Sequence, residues 1–195
     1  MVIEAGLRGA FLLARGHADG LLLVEATAAG LARSFWAAAI CLPAFLALRF
    51  LAWAETGAPS AGLGVALAAE LIGYVCAWAG FALASLPLAR AMGREPLWAH
   101  FVAAWNWANV VQYLVLLALT LPAALGLPPW VAHGLALAAL GYAAWLEWFV
   151  AKAALRISGA QALVFLGLDL VLGLFLGGLV MRLSGLIYIQ SGSSS

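Results

Sequence analysis

Long apolar stretches alternate with short polar joints along the chain, and each stretch is of membrane-crossing length. A helix needs about 20 mostly apolar residues to cross a hydrocarbon layer about 30 Å thick at 1.5 Å per residue. The pattern predicts crossings over about residues 34–54, 62–88, 97–125, 130–150 and 160–181. The joints carry the expected punctuation: Glu55 to Gly62, then Arg90, Arg94 and Glu95 followed by Pro96, then Leu127-Pro128-Pro129, then Ser158-Gly159. Pro43 falls inside the first crossing, where it removes one backbone bond and predicts a kink.

Residues 1–33 follow a different rhythm. At 100° per residue Glu4, Arg8, Arg15 and Asp19 share one narrow arc, and Val2, Leu7, Ala10, Leu13 and Ala14 lie outside it. This predicts an amphipathic helix in the membrane interface, broken at Gly16 to Gly20, with Leu21 to Arg33 continuing along the surface; the alternative is that Leu21 already belongs to a long tilted first crossing. The same charges interrupt the apolar run that a removable signal peptide needs. Residues 190–195, after the last apolar run, read as a disordered tail or an expression remnant.

Composition turns these runs into a fold class. Hydrophobic residues make up 67% of the 195 positions and charged residues 9%, where ordinary soluble domains carry about a quarter charged. The expectation is an all-α integral membrane protein of about five transmembrane helices with an N-terminal amphipathic interfacial helix, and no separate soluble domain. Of the nine Lys and Arg residues, Arg8, Arg15, Arg33, Arg90, Arg94, Lys152 and Arg156 fall on one side of the crossings. Only Arg49 and Arg182 fall toward the other. Basic loops stay in the cytoplasm, so the expected placement is multi-pass in a bacterial inner membrane, N-terminus cytoplasmic and C-terminus periplasmic. Trp36, Trp53, Trp98, Trp130, Trp145 and Trp148 lie near the proposed helix ends, where indoles favour the headgroup level; Trp78, Trp105 and Trp107 do not and are expected inside.

Ionisable groups inside a span are costly, so each is a candidate for function as well as for structure. Glu70 shares a face with Gly73, Ala77 and Gly80, a small-residue stripe expected to seat another helix. Arg49 is expected at nearly the same depth and is a candidate partner for Glu70. Asp169 shares a face with Gly173 and Gly177, which are expected to allow close helix packing. Its expected company is the polar stripe Asn106, Asn109, Gln112, Tyr113 and Thr120 on the third crossing. Arg49, Glu70, Asn106, Asn109, Gln112 and Asp169 form the candidate intramembrane polar network. Glu147 reads as an interfacial ion-pair partner of Lys152.

No catalytic or cofactor motif accompanies them. His17, His100 and His133 are too scattered for one metal site, Cys41 and Cys76 lie in apolar runs, and Ser85 has no evident base. There is no His-Glu-x-x-His, no Gly-x-Ser-x-Gly and no phosphate-binding glycine loop. No enzyme, no cofactor, no metal and no nucleic-acid partner is expected; the expected partners are membrane lipids and other membrane proteins or a second copy of the chain.

Two local runs, Ala103-Ala104-Trp105-Asn106-Trp107 and Trp145-Leu146-Glu147-Trp148-Phe149, together with the five-crossing layout and the amphipathic start, resemble the Yip1-type membrane proteins over about residues 30–185. The resemblance implies a helical membrane scaffold or trafficking-type factor and carries over no catalytic residue. The expectation is an accessory or scaffold subunit acting through helix packing, with a small permease or proton-coupled carrier using its embedded carboxylates as the alternative. A polar cavity reaching Glu70 or Asp169 is the observation that separates them.

Overall fold

The structure, a computed structural model, describes residues 2–185; the predicted tail at 190–195 lies outside them. Helices hold 85% of the chain and no strand occurs among the described residues, so the protein is an all-α membrane protein. In chain order the helices are α1 (Val2–Leu13), a 3-10 turn (Ala18–Leu23), α2 (Ala28–Ser34), α3 (Trp36–Thr56), α4 (Leu63–Ala91), α5 (Glu95–Ala124), α6 (Pro129–Leu155) and α7 (Gly159–Leu183). Among the described residues five helices are long and apolar enough to cross a membrane, the first of them formed by α2 and α3 together. The predicted crossings therefore lie within a few residues of α3 to α7, and α3 continues past Pro43.

Local chemistry sets the joints. Gly57 and Gly62 bracket the α3–α4 turn with φ of 98° and 87°, a region closed to most side chains. Pro129 opens α6 at the position where a missing N–H costs no helical bond. Ser158 caps α7 by accepting from the Gln161 amide, and the Gln161 side chain accepts from the Ser158 amide in return.

Side-chain bonds hold the helices together at both ends. At the basic end the Trp98 indole donates to Ser85 Oγ at 3.0 Å and the Trp148 indole to the Gly159 carbonyl at 2.9 Å. At the far end Ser60 Oγ donates to the Gly185 carbonyl at 2.7 Å, tying the α3–α4 turn to the end of α7.

The central post is α5. It packs against α6, α3, α1 and α2 and more lightly on α4, while α7 rests on α4 and α6. Every side chain from Phe101 to Ala108 is buried. An aromatic cluster fills the basic-end half: Phe81 stacks on Trp105 with centroids 4.1 Å apart, Trp78 meets Trp105 at 5.5 Å, and Phe101 meets Phe165 at 5.2 Å. Trp78, Trp105 and Trp107 are thus interior, while Trp36 and Trp130 stand exposed at the edges.

The N-terminal segment lies wedged against the side of the bundle, where its glycines let it approach closely. Gly6 of α1 sits against the Trp107 indole, so near that a Cβ there would lie 2.6 Å from Trp107 Nε1. Gly9 and Gly20 cross in similar fashion, and a Cβ on Gly9 would lie 2.7 Å from the Gly20 carbonyl oxygen. Ala10 and Leu13 join the core, the Tyr142 hydroxyl donates to the Ala14 carbonyl at 2.9 Å, and His100 Nε2 meets the Leu21 carbonyl at 3.0 Å. Tyr142 is 13 residues from the end of α6, about 20 Å along its axis. Ile3, Phe11 and Leu22 remain exposed beside Glu4 and Arg8, which pair at 2.8 Å, so the outer face keeps an amphipathic character.

A small polar clamp precedes the first crossing. The Thr27 hydroxyl donates to Glu25 at 2.7 Å, Arg33 donates to both carboxylate oxygens of Glu25, and the Gly30 amide donates to Thr27 Oγ1 at 2.9 Å. The Thr27 hydroxyl and then the Arg33 guanidinium hold the Glu25 carboxyl below its ordinary value of 4.5. A depressed carboxyl stabilises the fold above its ordinary value, and that contribution is lost as the pH falls through the lowered one. Amide-exchange protection at Gly30 is therefore expected to drop in acid once intrinsic rates are removed, and in Glu25→Gln to be low and indifferent to pH. Equal acid sensitivity in both proteins would refute the clamp.

Candidate functional site

Four crossings bring polar groups to one cavity. The side chains of Arg49 on α3, Asn109, Gln112 and Tyr113 on α5, Glu147 on α6 and Asp169 on α7 line a space of about 670 Å³. Apolar residues complete its walls, among them Leu48, Leu116, Leu137, Leu140, Leu166 and Leu170. Leu137, Leu140 and Leu170 are exposed although they line it, so the cavity is open on the side where α6 and α7 present them. A smaller space of about 370 Å³ adjoins it, lined by Glu70, Gly73, Tyr74 and Ala77 of α4 together with residues of α7. Phe45, Arg49 and Tyr113 belong to both. Toward the basic end the aromatic cluster closes the bundle.

Depth along antiparallel helices explains why the acids meet. Glu147 lies eight residues before the end of α6 and Asp169 ten residues after the start of α7, about 12 and 15 Å from one tight turn. Their carboxyl groups interact with each other. Glu147 is only 5% exposed, and its Oε1 is buried without a hydrogen-bond partner among the described residues.

The expected pairing of Glu147 with Lys152 is overturned. Five residues on a helix turn through 500°, which puts the two side chains on different faces. Lys152 lies one turn beyond Trp148 instead, with its ammonium 4.9 Å from the indole centroid. The meeting of Glu147 with Asp169 was legible in the turn at 156–158, had depths been counted outward from it.

Of the polar network, Arg49 and Glu70 approach to 3.8 Å, with the Arg49 guanidinium 5.7 Å above the Phe45 ring. Tyr74 supports this contact by donating from its hydroxyl to the Ala38 carbonyl at 2.7 Å. The polar stripe of α5 divides. Asn109 and Gln112 line the cavity with Asp169, but their amides donate to the Trp105 and Ala143 carbonyls at 3.0 and 2.9 Å. Asn106 turns the other way and donates to Ser34 Oγ at 2.7 Å, and Thr120 bonds the Leu116 carbonyl of its own helix. A stripe spanning about 120° of a helix is wide enough for its ends to face different neighbours.

The small residues also divide. Gly73 seats α7, since a Cβ on it would meet Val180 Cγ2 at 2.7 Å, and Ala77 lines the smaller cavity. At Gly80, Gly173 and Gly177, by contrast, nothing among the described residues lies within 4 Å of a built Cβ, and Gly173 and Gly177 border the smaller cavity. Spacing on one helix cannot tell whether the facing helix comes close or leaves a gap.

Two carboxyl groups, a guanidinium, two amides and a phenol around an otherwise apolar space can bind a small solute by charge and hold a proton out of bulk water. Among the described residues no group of three or more His, Cys, Asp or Glu side chains is gathered to hold a metal ion. Comparison with protein-family models, curated proteins and solved structures found no match to this chain.

Proposed function

We propose that the protein is a small permease-type carrier that couples movement of a solute to a proton through its membrane-embedded carboxyl groups. One observation carries this reading: a single cavity inside the crossings gathers Arg49, Asn109, Gln112, Glu147 and Asp169 from four helices. A purely structural bundle has no need to leave two acids facing such a space. The basic end lies in the cytoplasm of a bacterial inner membrane, which puts the C-terminus in the periplasm and the cavity near the middle of the bundle.

Proteoliposomes enclosing a pH-sensitive dye test the proposal. Cationic, anionic and neutral solutes are offered in turn, and at least one class is expected to shift the internal pH for the wild type. Asp169→Asn is expected to reduce that shift about ten-fold or more, the loss of one essential intramembrane acid. Indifference to every class, in protein that is monodisperse and helical, would defeat the carrier reading.

The second reading, an accessory subunit that packs against another membrane protein, draws on Gly173 and Gly177. Their exposed backbone would accept a helix from outside the chain. Native mass spectrometry of gently extracted membranes tests it, and a free monomer alone would exclude it.

A further inference from the structure

We infer that the cavity takes a lipophilic organic cation, held by Glu147 and Asp169 in place of a proton that the two carboxyl groups otherwise share. The inference rests on the carrier reading and names its substrate class.

The charge of the ligand follows from what faces the acids. Side by side and away from bulk water, two carboxylates repel each other, and the repulsion is relieved by a proton or a cation between them. The protein supplies little compensation. From α3, Arg49 lines the cavity but is engaged by Glu70 of α4 at 3.8 Å. From α5 come Tyr113, Asn109 and Gln112, none of them cationic. On α6 itself Lys152 lies over Trp148, and α7 contributes Asp169 alone. Glu147, only 5% exposed, keeps one oxygen without a hydrogen-bond partner among the described residues. That oxygen is an acceptor waiting for a donor or a positive charge.

The body of the ligand follows from the walls. A bound metal ion asks for several oxygen ligands at close range, whereas most of the residues around this space of about 670 Å³ are apolar. A molecule with an apolar body and one positive charge matches both. Tyr113 adds an aromatic ring beside which such a charge rests favourably. The opening at Leu137, Leu140 and Leu170 faces the level of the acyl chains, where amphipathic cations accumulate.

Exchange conserves charge. With one shared proton the pair carries one net negative charge, and replacing that proton by a monovalent cation leaves the same net charge while one proton departs to solvent.

Tetraphenylphosphonium, a cation with no proton of its own, is the probe. It is titrated into the purified full chain in weakly buffered detergent while bound cation and released protons are both measured. The expected result is about one proton released per cation bound, with affinity falling as the pH is lowered through mutual competition. Glu147→Gln and Asp169→Asn are each expected to weaken binding about ten-fold or more and to abolish release, the cost of a lost charge pairing out of water. Glu95→Gln, which removes only the surface partner of Arg90, is expected to change neither. The competition between proton and cation in the wild type needs no variant and stands as the test if the substituted proteins fail to fold. No binding, binding without proton release, or binding indifferent to both substitutions overturns the inference. If other solutes drive proton movement in vesicles while this cation does not bind, the inference alone falls. If the cation binds with proton release but no solute, this cation included, moves protons in vesicles beyond the level of protein-free vesicles, the inference stands and the carrier reading falls.

Discussion

Gly6→Leu is expected to unseat the N-terminal helix from the side of the bundle while leaving the five crossings in place. Two effects compete at this position. Leucine favours a helix over glycine by about 1 kcal/mol, so in open space the change would strengthen α1. Against the indole it cannot, because a Cβ on Gly6 would lie 2.6 Å from Trp107 Nε1 and the ring itself is 2% exposed, hemmed in by its neighbours. Overpacking of this kind costs about 1–3 kcal/mol and often more when the obstacle is rigid, and the bulk beyond Cβ adds to it. The clash prevails. Trypsin is then expected to cut after Arg15 about ten-fold faster than in the wild type, as local opening becomes favourable. Gly134→Leu is the control, since nothing lies within 4 Å of a Cβ there. Unchanged cleavage in Gly6→Leu would show that α1 is not held by this contact.

The Arg49–Glu70 pair is expected to respond asymmetrically to loss of either member. Glu70 is 8% exposed and short, so without Arg49 it remains in the bundle with no counter-charge, a situation that costs about 3 kcal/mol or more. Arg49 keeps 42% of its side chain exposed and lies near the far end of α3, so without Glu70 it can extend its guanidinium toward the headgroups. Arg49→Leu should therefore destabilise by about 3 kcal/mol, Glu70→Gln by about 1 kcal/mol, and the double change to two leucines should recover most of the first loss. Unfolding by added sodium dodecyl sulfate in mixed micelles measures all three. A larger cost for Glu70→Gln than for Arg49→Leu would contradict the arrangement.

Depth was the quantity most readable from the sequence. Counting along apolar runs located α3 to α7 within a few residues and brought Arg49 level with Glu70, because helix rise is constant and the bilayer fixes where each count begins. The same count, started from the turn at 156–158, matches Glu147 with Asp169, whereas Lys152 is near Glu147 in sequence but on another face of the helix. Rotation was read less well. Gly73 and Gly173 carry equal promise as helix seats in the sequence, yet one meets Val180 and the other faces space. Asn106 and Gln112 share a broad face and reach different helices, one toward Ser34 and the other toward Ala143. Which neighbour stands opposite each face depends on the whole bundle. The wedge at residues 2–23 was beyond local reading, since its amphipathic pattern fits a lipid surface and a protein surface equally and its receptor residues are Trp107 and Tyr142.

That wedge also imposes an order on biosynthesis. A chain leaving the ribosome presents α1 first, but the ring it packs on is made about a hundred residues later and the hydroxyl that holds its end later still. During the intervening synthesis the segment has only the lipid interface to rest on, and its exposed Ile3, Phe11 and Leu22 suit it to wait there. A helix made before the crossings is thus among the last to reach its final place, and a nascent chain halted before α6 would still offer Arg15 to a protease.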